Sequence, residues 1–229
     1  KATRKLVQEI NPDIVHAHWL IPGGYVTRKA LGKEPALFIS MHGTDVFLIE
    51  KMRIAQRLAK KAIHSAHNLH FVSEELLSII ERRYGKTRGR DFVLPMVFGL
   101  ENFSQLDSEP HETKRILFVG RLMEVKGVDV LIKAFSKFLK HDSLTDYVLD
   151  IVGDGPELDS LQQLSRQEQI DEKITFHGSK QKSEIAGFYS NADLFVLPSR
   201  TTALGEKEGL GLVVLEAMMS GVPVIGTNC

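Results

Sequence analysis

The feature that most constrains the fold of this chain is a repeated alternation of short apolar segments with segments of helical periodicity. The predicted strands span residues 13–18, 36–41, 68–73, 92–95, 115–119, 147–152, 174–177 and 194–198. The predicted helices span residues 2–10, 24–31, 51–65, 74–83, 127–139, 156–167 and 182–189. Because buried strands that alternate with helices form parallel sheets covered on both faces, the sequence predicts an α/β fold.

A polar stretch without periodicity, residues 104–114, divides the chain into two predicted domains. Residues 1–105 contain 16 Lys and Arg against 10 Asp and Glu, whereas residues 106–229 contain 13 against 19. We therefore predict two doubly wound, Rossmann-like domains, at residues 1–105 and 115–229, joined by a linker at 106–114. Ligands are expected in the cleft between them, at the carboxyl ends of the strands.

The composition excludes several classes of protein. Apolar residues make up 43% of the chain, which gives ample material for a core, and Cys229 is the only cysteine, so internal disulfides are excluded. No apolar run reaches the roughly 20 residues that span a bilayer, and no signal-peptide core stands at the start. The basic residues lack interleaved aromatic residues, which disfavours nucleic-acid binding. We expect a cytoplasmic protein.

Two glutamates flank a glycine-rich turn and a helix near the end of the chain. Residues 208–227 form the predicted turn, a helix that begins near Gly211, a stop at Gly221 and a short strand. Glu208 and Glu216 are eight residues apart, which places them on the same side. Carboxylates suit sugar or ribose hydroxyls, and free amides of the turn suit an anion. The spacing alone leaves open a pair of solvated acidic residues.

Arg121 and Lys126 lie in a predicted strand-to-helix loop, where two cations beside a helix N-terminus suit a diphosphate. By composition alone, a pair of solvated surface charges remains the commoner explanation. A second strand-to-helix turn carries Gly153 and Gly155, which permit tight backbone conformations but are weak evidence of a site.

His42 follows a predicted strand and is next to a glycine, so its imidazole is expected at the ligand edge of the sheet. A structural histidine is the usual alternative, and the chain has nine histidines. His16 and His18 share one strand face, but no convincing third metal ligand and no paired Asp-x-Asp motif accompany them. A metal-independent reaction is expected.

The predicted helix at Lys51–Ile63 has an apolar stripe and a basic stripe. One interpretation is a packed helix with a solvated basic face. The other is a surface that meets anionic lipid headgroups or an anionic lipid-linked acceptor, which would place the protein peripherally on the inner face of the membrane.

Taken together, these motifs resemble the retaining glycosyltransferases of family 4, which have the GT-B fold. The segment with Glu208 and Glu216, followed by Gly221 and Pro223, resembles their E-x7-E signature, and residues 120–127 resemble their G-R-x-x-x-x-K-G loop. The segment 42–45 resembles their H-G-x-D motif. The resemblance covers nearly the whole chain and implies that both domains are incomplete, with the first strand and the C-terminal end missing.

The resemblance also implies a role for each candidate residue. His42 and Glu208 would be catalytic, and Glu216 would hold the ribose of the donor. The donor diphosphate would be bound by Arg121, Lys126, Gly209, Leu210 and Gly211. The nucleotide base would lie near Gly153, His177 and Gly178.

The implied function is transfer of a sugar from a nucleotide diphosphate sugar, such as a UDP- or GDP-sugar, with retention of the anomeric configuration. The acceptor would be lipid-linked or a polysaccharide precursor, and no metal or other cofactor is expected. Two alternatives remain open: a GT-B-fold sugar-nucleotide epimerase, and a fragment that binds the nucleotide sugar without catalysis.

Overall fold

The computed structural model describes residues 2–31, 35–86, 91–95, 103, 112–140, 146–203, 205, 207–208 and 211–228. The chain forms two compact units, Lys1–Met96 and Val97–Cys229. The first unit thus ends earlier than residue 105, the predicted end of the first domain. The reason is Phe103, which is fully buried in the core of the second unit. Most of the predicted linker, residues 106–111, lies outside the described residues.

The first unit has a four-stranded sheet in the order β1-β2-β3-β4, and every pair of neighbours is parallel. Its strands are β1 (Ile14–His18), β2 (Ala36–Met41), β3 (Asn68–Phe71) and β4 (Phe92–Val93). Its helices are α1 (Ala2–Ile10), α2 (Tyr25–Ala30), α3 (Thr44–Lys51), α4 (Arg53–Ser65) and α5 (Glu74–Tyr84). Three small residues of α4, Ala55, Ala59 and Ala62, are buried on the side that packs against α2 and α3.

The predicted helix at Lys51–Ile63 is wrong at its start. Helix α3 ends at Lys51, and Met52 is extended, with φ −126° and ψ 115°, before α4 begins at Arg53. The break is stabilised by Gln56, whose side-chain amide donates to the carbonyl of Ile49 and whose backbone N–H donates to the carbonyl of Met52. These bonds satisfy a terminal carbonyl of α3 and form the first turn of α4.

The second unit has a five-stranded parallel sheet in the order β7-β6-β5-β8-β9. Its strands are β5 (Lys114–Val119), β6 (Tyr147–Val152), β7 (Ile174–Gly178), β8 (Leu194–Leu197) and β9 (Val224–Gly226). Its helices are α6 (Val128–Leu139), α7 (Leu158–Gln167), α8 (Lys182–Ser190) and α9 (Leu212–Met219). The two parallel sheets, with helices between their strands, confirm the predicted α/β fold of two Rossmann-like units.

The core of the second unit shows why its central strands contain almost only apolar residues. Leu117, Phe118 and Val119 of β5 are all buried, which requires helices on both faces of the sheet. Helix α6 contributes Val128, Ile132 and other residues at helical spacing to the same core. Among the described helices, none has the length and hydropathy that a membrane crossing needs.

Candidate functional site

The carboxyl ends of β5, β6, β7 and β8 lie at one edge of the second sheet, because these strands are all parallel. Strand β5 lies between β6 and β8, so the direction in which successive strands are added reverses at this point. A reversal of this kind opens a crevice between the loops that follow the strands, and ligands of open α/β sheets bind there. We therefore expect the ligand-binding residues of the second unit in the loops that follow these strands.

Two glycines allow the loops after β5 and β6 to touch. Gly153 has φ +139°, and a Cβ at this position would lie 1.9 Å from the carbonyl oxygen of Gly120. A Cβ on Gly155 would lie 2.2 Å from the carbonyl oxygen of Leu122. The glycines predicted as a tight turn are thus needed because two backbones pass each other without room for a side chain.

A cavity of about 650 Å³ opens at the carboxyl ends of β5, β6 and β7. Arg121 and Gly153 line it, as do two residues that the sequence did not single out, Ser179 and Lys180. The cavity has the size of an ordinary small-molecule site, and its lining combines apolar residues with two cationic side chains and one carboxylate, Asp154, so its net charge is positive. An anionic ligand with a flat or apolar portion suits this composition.

Lys126 lies in the same loop, in a 3-10 turn at Glu124–Lys126, and its ammonium group is bonded to the carboxylate of Glu208. The two side chains are only 15% and 20% exposed. Ser199, a buried residue just beyond β8, donates to the same carboxylate at 3.3 Å. Arg121 is exposed and makes no side-chain hydrogen bond or ion pair with any described residue. The structure therefore brings together Lys126 and Glu208, a cation and a carboxylate that the sequence analysis had predicted separately.

Arg200 fixes the loop that carries Lys126. Its side chain donates to the carbonyl oxygen of Glu124 at 3.0 Å and to Asp129 Oδ2 at 3.0 Å, and its backbone N–H donates to Val125. Gly127, with φ +64°, comes so close to the loop after β8 that a Cβ would lie 2.1 Å from the carbonyl oxygen of Pro198. No motif pointed to Arg200, because its partners are more than 70 residues away along the chain.

Glu216 lies on α9, which begins at Leu212 after the N-cap residue Gly211. Its Oε2 accepts a hydrogen bond of 3.2 Å from the hydroxyl of Tyr189. Gly221 has φ +76° just beyond the helix, as expected of a helix stop. The other two residues of the predicted diphosphate-binding turn, Gly209 and Leu210, lie outside the described residues.

The residues predicted near the base do not all line the cavity. Gly153 does, whereas His177 and Gly178 come just before the lining residues Ser179 and Lys180. His177 Nε2 is 2.7 Å from Asp150 Oδ1, and the other oxygen of that buried carboxylate accepts from Arg115 at 3.0 Å. The imidazole of His177 is therefore engaged on the sheet rather than among the lining residues of the cavity.

Glu157, which follows the cavity residue Pro156, has a raised pKa. Burial raises the pKa of Glu157, the negative charges of Asp129 and Glu124 raise it further, and Arg200 opposes them. Within the described part of the chain, Glu157 Oε2 and Asp129 Oδ1 are buried without a hydrogen-bond partner. Two orphaned carboxylate oxygens that repel each other destabilise the ionised state.

Glu157→Gln is expected to stabilise the protein at neutral pH, because it removes the poorly solvated charge. A folded-state pKa above the ordinary value of 4.5 means that the folded chain binds the proton more tightly, so stability falls as pH rises through this window. The melting temperature of the variant should exceed that of the wild type by on the order of 1 °C at pH 7.5, and the gap should close below about pH 4. Glu172→Gln, at an exposed position, is the control. An equal gap at every pH would contradict this explanation.

In the first unit, His42 follows β2 and contacts a second predicted histidine, since its Nε2 is 3.0 Å from His18 Nδ1. Burial lowers the pKa of His42, the negative charge of Asp45 opposes this, and His18 lowers it further. Asp45 itself is 2% exposed and accepts from the backbone N–H groups of His42, Gly43 and Leu20. The aspartate of the His-Gly-Thr-Asp segment therefore fixes the loop that carries the histidine.

His16 belongs to a separate hydrogen-bonded row. His70 Nε2 donates to the carbonyl of Leu94 at 2.6 Å, so in the neutral ring its Nδ1 accepts from the Ser40 hydroxyl at 2.8 Å. The Ser40 oxygen then accepts from His16 Nε2, also at 2.8 Å. No group of three or more His, Cys, Asp or Glu in the described residues is arranged to hold a metal ion.

Comparison with known proteins identifies the family. Residues 101–229, more than half of the chain, match the family Glycosyl transferases group 1, and residues 1–73 match the family Glycosyl transferase 4-like. Both families are consistent with the predicted resemblance.

Curated relatives cover both units. The chain is 28% identical over 234 residues to N-acetyl-alpha-D-glucosaminyl L-malate synthase of Bacillus anthracis, with 98% of this chain and 58% of the relative aligned. It is 36% identical over 211 residues to a GDP-mannose-dependent alpha-(1-6)-phosphatidylinositol monomannoside mannosyltransferase of Mycolicibacterium smegmatis, with 88% and 54% aligned. The chain thus spans somewhat more than half the length of these relatives.

Solved structures share the fold. Anabaena Alr3699/HepE in complex with UDP has a TM-score of 0.79 at 20% identity, over 98% of this chain and 62% of that one. Sucrose-phosphate synthase from Thermosynechococcus elongatus has a TM-score of 0.77 at 21% identity, over 98% and 58%. These neighbours confirm the predicted GT-B class of the two Rossmann-like units, and the family match shows that the chain belongs to the group 1 glycosyl transferases.

Proposed function

We propose that this chain belongs to a glycosyltransferase that transfers a sugar from a nucleotide diphosphate sugar to an acceptor, with its second unit binding the donor and its first unit on the acceptor side. The observation that carries the proposal is the pairing of Lys126 with Glu208 next to a cavity that Arg121 lines. A cation for phosphate and a carboxylate for sugar hydroxyls then meet at the crevice where α/β sheets bind ligands. The names of the relatives, which include a GDP-mannose-dependent mannosyltransferase, support the same class of reaction.

In the proposed reaction, Arg121 and Lys126 bind the diphosphate. Negative charge builds on the diphosphate as the bond to the sugar breaks, so fixed cations stabilise the transition state more than the ground state. Arg121 has no described partner to give up, whereas Lys126 remains paired with Glu208. The amides of residues 209–211 are proposed to assist, on the strength of the sequence alone.

Glu208 is proposed to bind the donor sugar and Glu216 the ribose hydroxyls. Ser199 and Lys126 fix the carboxylate of Glu208, and Tyr189 contacts that of Glu216, so each is held before a ligand arrives. Fixed acceptors lower the entropy that binding costs. His42 is proposed to act in the transfer step, where a neutral imidazole, favoured by its lowered pKa, can accept a proton or a hydroxyl hydrogen bond.

The finer features of the reaction are also proposals. They are retention of the anomeric configuration, transfer without a metal ion, a UDP- or GDP-sugar as donor, and a lipid-linked or polysaccharide acceptor. A peripheral position on a cytoplasmic membrane face is proposed from α4, where Arg53, Arg57, Lys60 and Lys61 are exposed. The cavity residues Gly153, Ser179 and Lys180 support a nucleotide base nearby.

Glu216→Gln tests the ribose assignment. The variant keeps the shape of the side chain and removes the charge, so binding of UDP or GDP should weaken by about 10- to 100-fold, the loss expected for charge-assisted hydrogen bonds. Isothermal titration calorimetry measures the dissociation constants. The exposed Glu172→Gln is the control, and His42→Ala should slow sugar transfer while leaving nucleotide affinity within about two-fold.

If Glu216→Gln bound UDP and GDP as tightly as the wild type, the assignment of Glu216 to ribose binding would be wrong. Product analysis with a labelled donor separates the reactions, and ¹H NMR of the anomeric proton reports retention or inversion. Conversion of the donor alone to another sugar nucleotide would indicate an epimerase. Nucleotide binding without any turnover in the presence of acceptors would indicate a binding module.

A further inference from the structure

Tyr189, near the end of α8, makes the contact that connects this helix to Glu216. Its hydroxyl is 3.2 Å from Glu216 Oε2 and 3.1 Å from the carbonyl oxygen of Val213, and both acceptors lie on α9. A phenol has one hydrogen to donate, so the two acceptors share it. The carbonyl of Val213 alone would satisfy the buried hydroxyl, and the approach of Glu216 is therefore not needed for that purpose.

The ring of Tyr189 is held rigidly. It is fully buried, with its centroid 5.6 Å from that of Phe103, edge to face, and 5.6 Å from that of Phe195. Burial, and then the negative charge of Glu216, raise the pKa of Tyr189 well above its ordinary value. The hydroxyl is thus a fixed, neutral donor throughout the pH range in which proteins are assayed.

We propose that Tyr189 is a positioning residue for Glu216, and that it sets the selectivity of the donor site for ribonucleotides over 2′-deoxyribonucleotides. The inference rests on the proposed role of Glu216 in ribose binding. A glutamate side chain has several rotatable bonds, and a hydrogen bond from a fixed ring selects one rotamer in advance. Oε2 keeps a second lone pair and Oε1 keeps both, enough to accept from the two ribose hydroxyls.

The test compares Tyr189→Phe with the wild-type chain, using UDP, GDP and their 2′-deoxy forms as probes in calorimetry. The ratio of the dissociation constants, deoxy over ribo, should fall by about five-fold or more in the variant, because one hydrogen bond no longer fixes the carboxylate. The affinity for the 2′-deoxy form should fall less than that for the ribo form, since the deoxy sugar keeps only the 3′-hydroxyl to donate to the carboxylate. An unchanged ratio would overturn the proposal and leave Tyr189 with a purely structural role.

Two further variants keep the outcomes distinct. Leu161→Ala removes a buried side chain of α7 from the core of the second unit without removing any contact described for Tyr189, so it should lower the melting temperature and leave the ratio at the wild-type value. Glu216→Gln should abolish most of the discrimination. If Glu216→Gln does so and Tyr189→Phe does not, the Tyr189 proposal alone fails. If the wild type shows no discrimination, or Glu216→Gln retains it, the ribose assignment fails together with the proposal.

Discussion

Replacing both Arg121 and Lys126 by alanine is expected to weaken the binding of UDP or GDP by about 100- to 10,000-fold. Each removed cation loses a charge-assisted hydrogen bond to phosphate, worth about 1.5–3 kcal/mol, and about 1.4 kcal/mol corresponds to a factor of ten. Of the two single variants, Lys126→Ala should lose more. Its loss leaves the carboxylate of Glu208, which is only 20% exposed, without its cation and close to the incoming phosphates.

Calorimetry with UDP and with uridine shows whether the lost affinity comes from contacts to the phosphates. Affinity for UDP should fall while affinity for uridine stays within about two-fold, because the nucleoside has no phosphate for the cations to bind. Lys133→Ala/Lys137→Ala, which removes two exposed cations of α6, is the control matched for net charge. If the double variant bound UDP and GDP like the wild type, the two cations would have to be assigned to the surface, and the proposed diphosphate site would be abandoned.

The second large effect concerns stability. Gly127→Ala is expected to lower the free energy of unfolding of the second unit by on the order of 3 kcal/mol. Gly127 has φ +64°, which strains any other residue, and its Cβ would lie 2.1 Å from the carbonyl oxygen of Pro198. The backbone would have to move, and it carries Lys126 on one side and α6 on the other.

Gly178→Ala is the matched control, because Gly178 has φ +68° but no described atom lies within 4 Å of where its Cβ would be. That variant should lose only the strain of the left-handed conformation, about 1 kcal/mol. Urea unfolding of both variants, followed by circular dichroism, gives the comparison. Equal losses would show that the close approach to Pro198 has no energetic consequence.

The sequence predicted those parts of the fold that depend on local patterns. Apolar strands and amphipathic helices such as α6 carry their periodicity in consecutive residues, and the parallel sheets follow from their alternation. Helix α3 was missed because Val46, Phe47 and Ile49 are all buried, and an apolar run of this length has no helical stripe. The first compact unit ends at Met96 whereas the predicted domain ends at residue 105, because nothing in the sequence around Phe103 indicates that its side chain enters the core of the second unit.

The candidate site was predictable only in part, for a similar reason. Motifs made Arg121, Lys126 and Glu216 candidate residues, since their chemistry and spacing are visible within a single loop or helix. The residues that hold them come from distant segments. Arg200 donates a hydrogen bond to the loop that carries Lys126, and Tyr189 contacts Glu216 from another helix. Side chains that act through tertiary contacts leave no periodic or motif signal in one sequence.

Binding of a nucleotide panel decides whether the second unit holds a nucleotide-sugar donor site. UDP, GDP, ADP and NAD would each be titrated into the wild-type chain and into the Arg121→Ala/Lys126→Ala variant by calorimetry. We expect that one nucleoside diphosphate, UDP or GDP, binds in preference to the others and that the double variant loses this binding. Binding of NAD alone, or of none of the four, would contradict the assignment of the crevice at β5 and β8 as a nucleotide-sugar donor site.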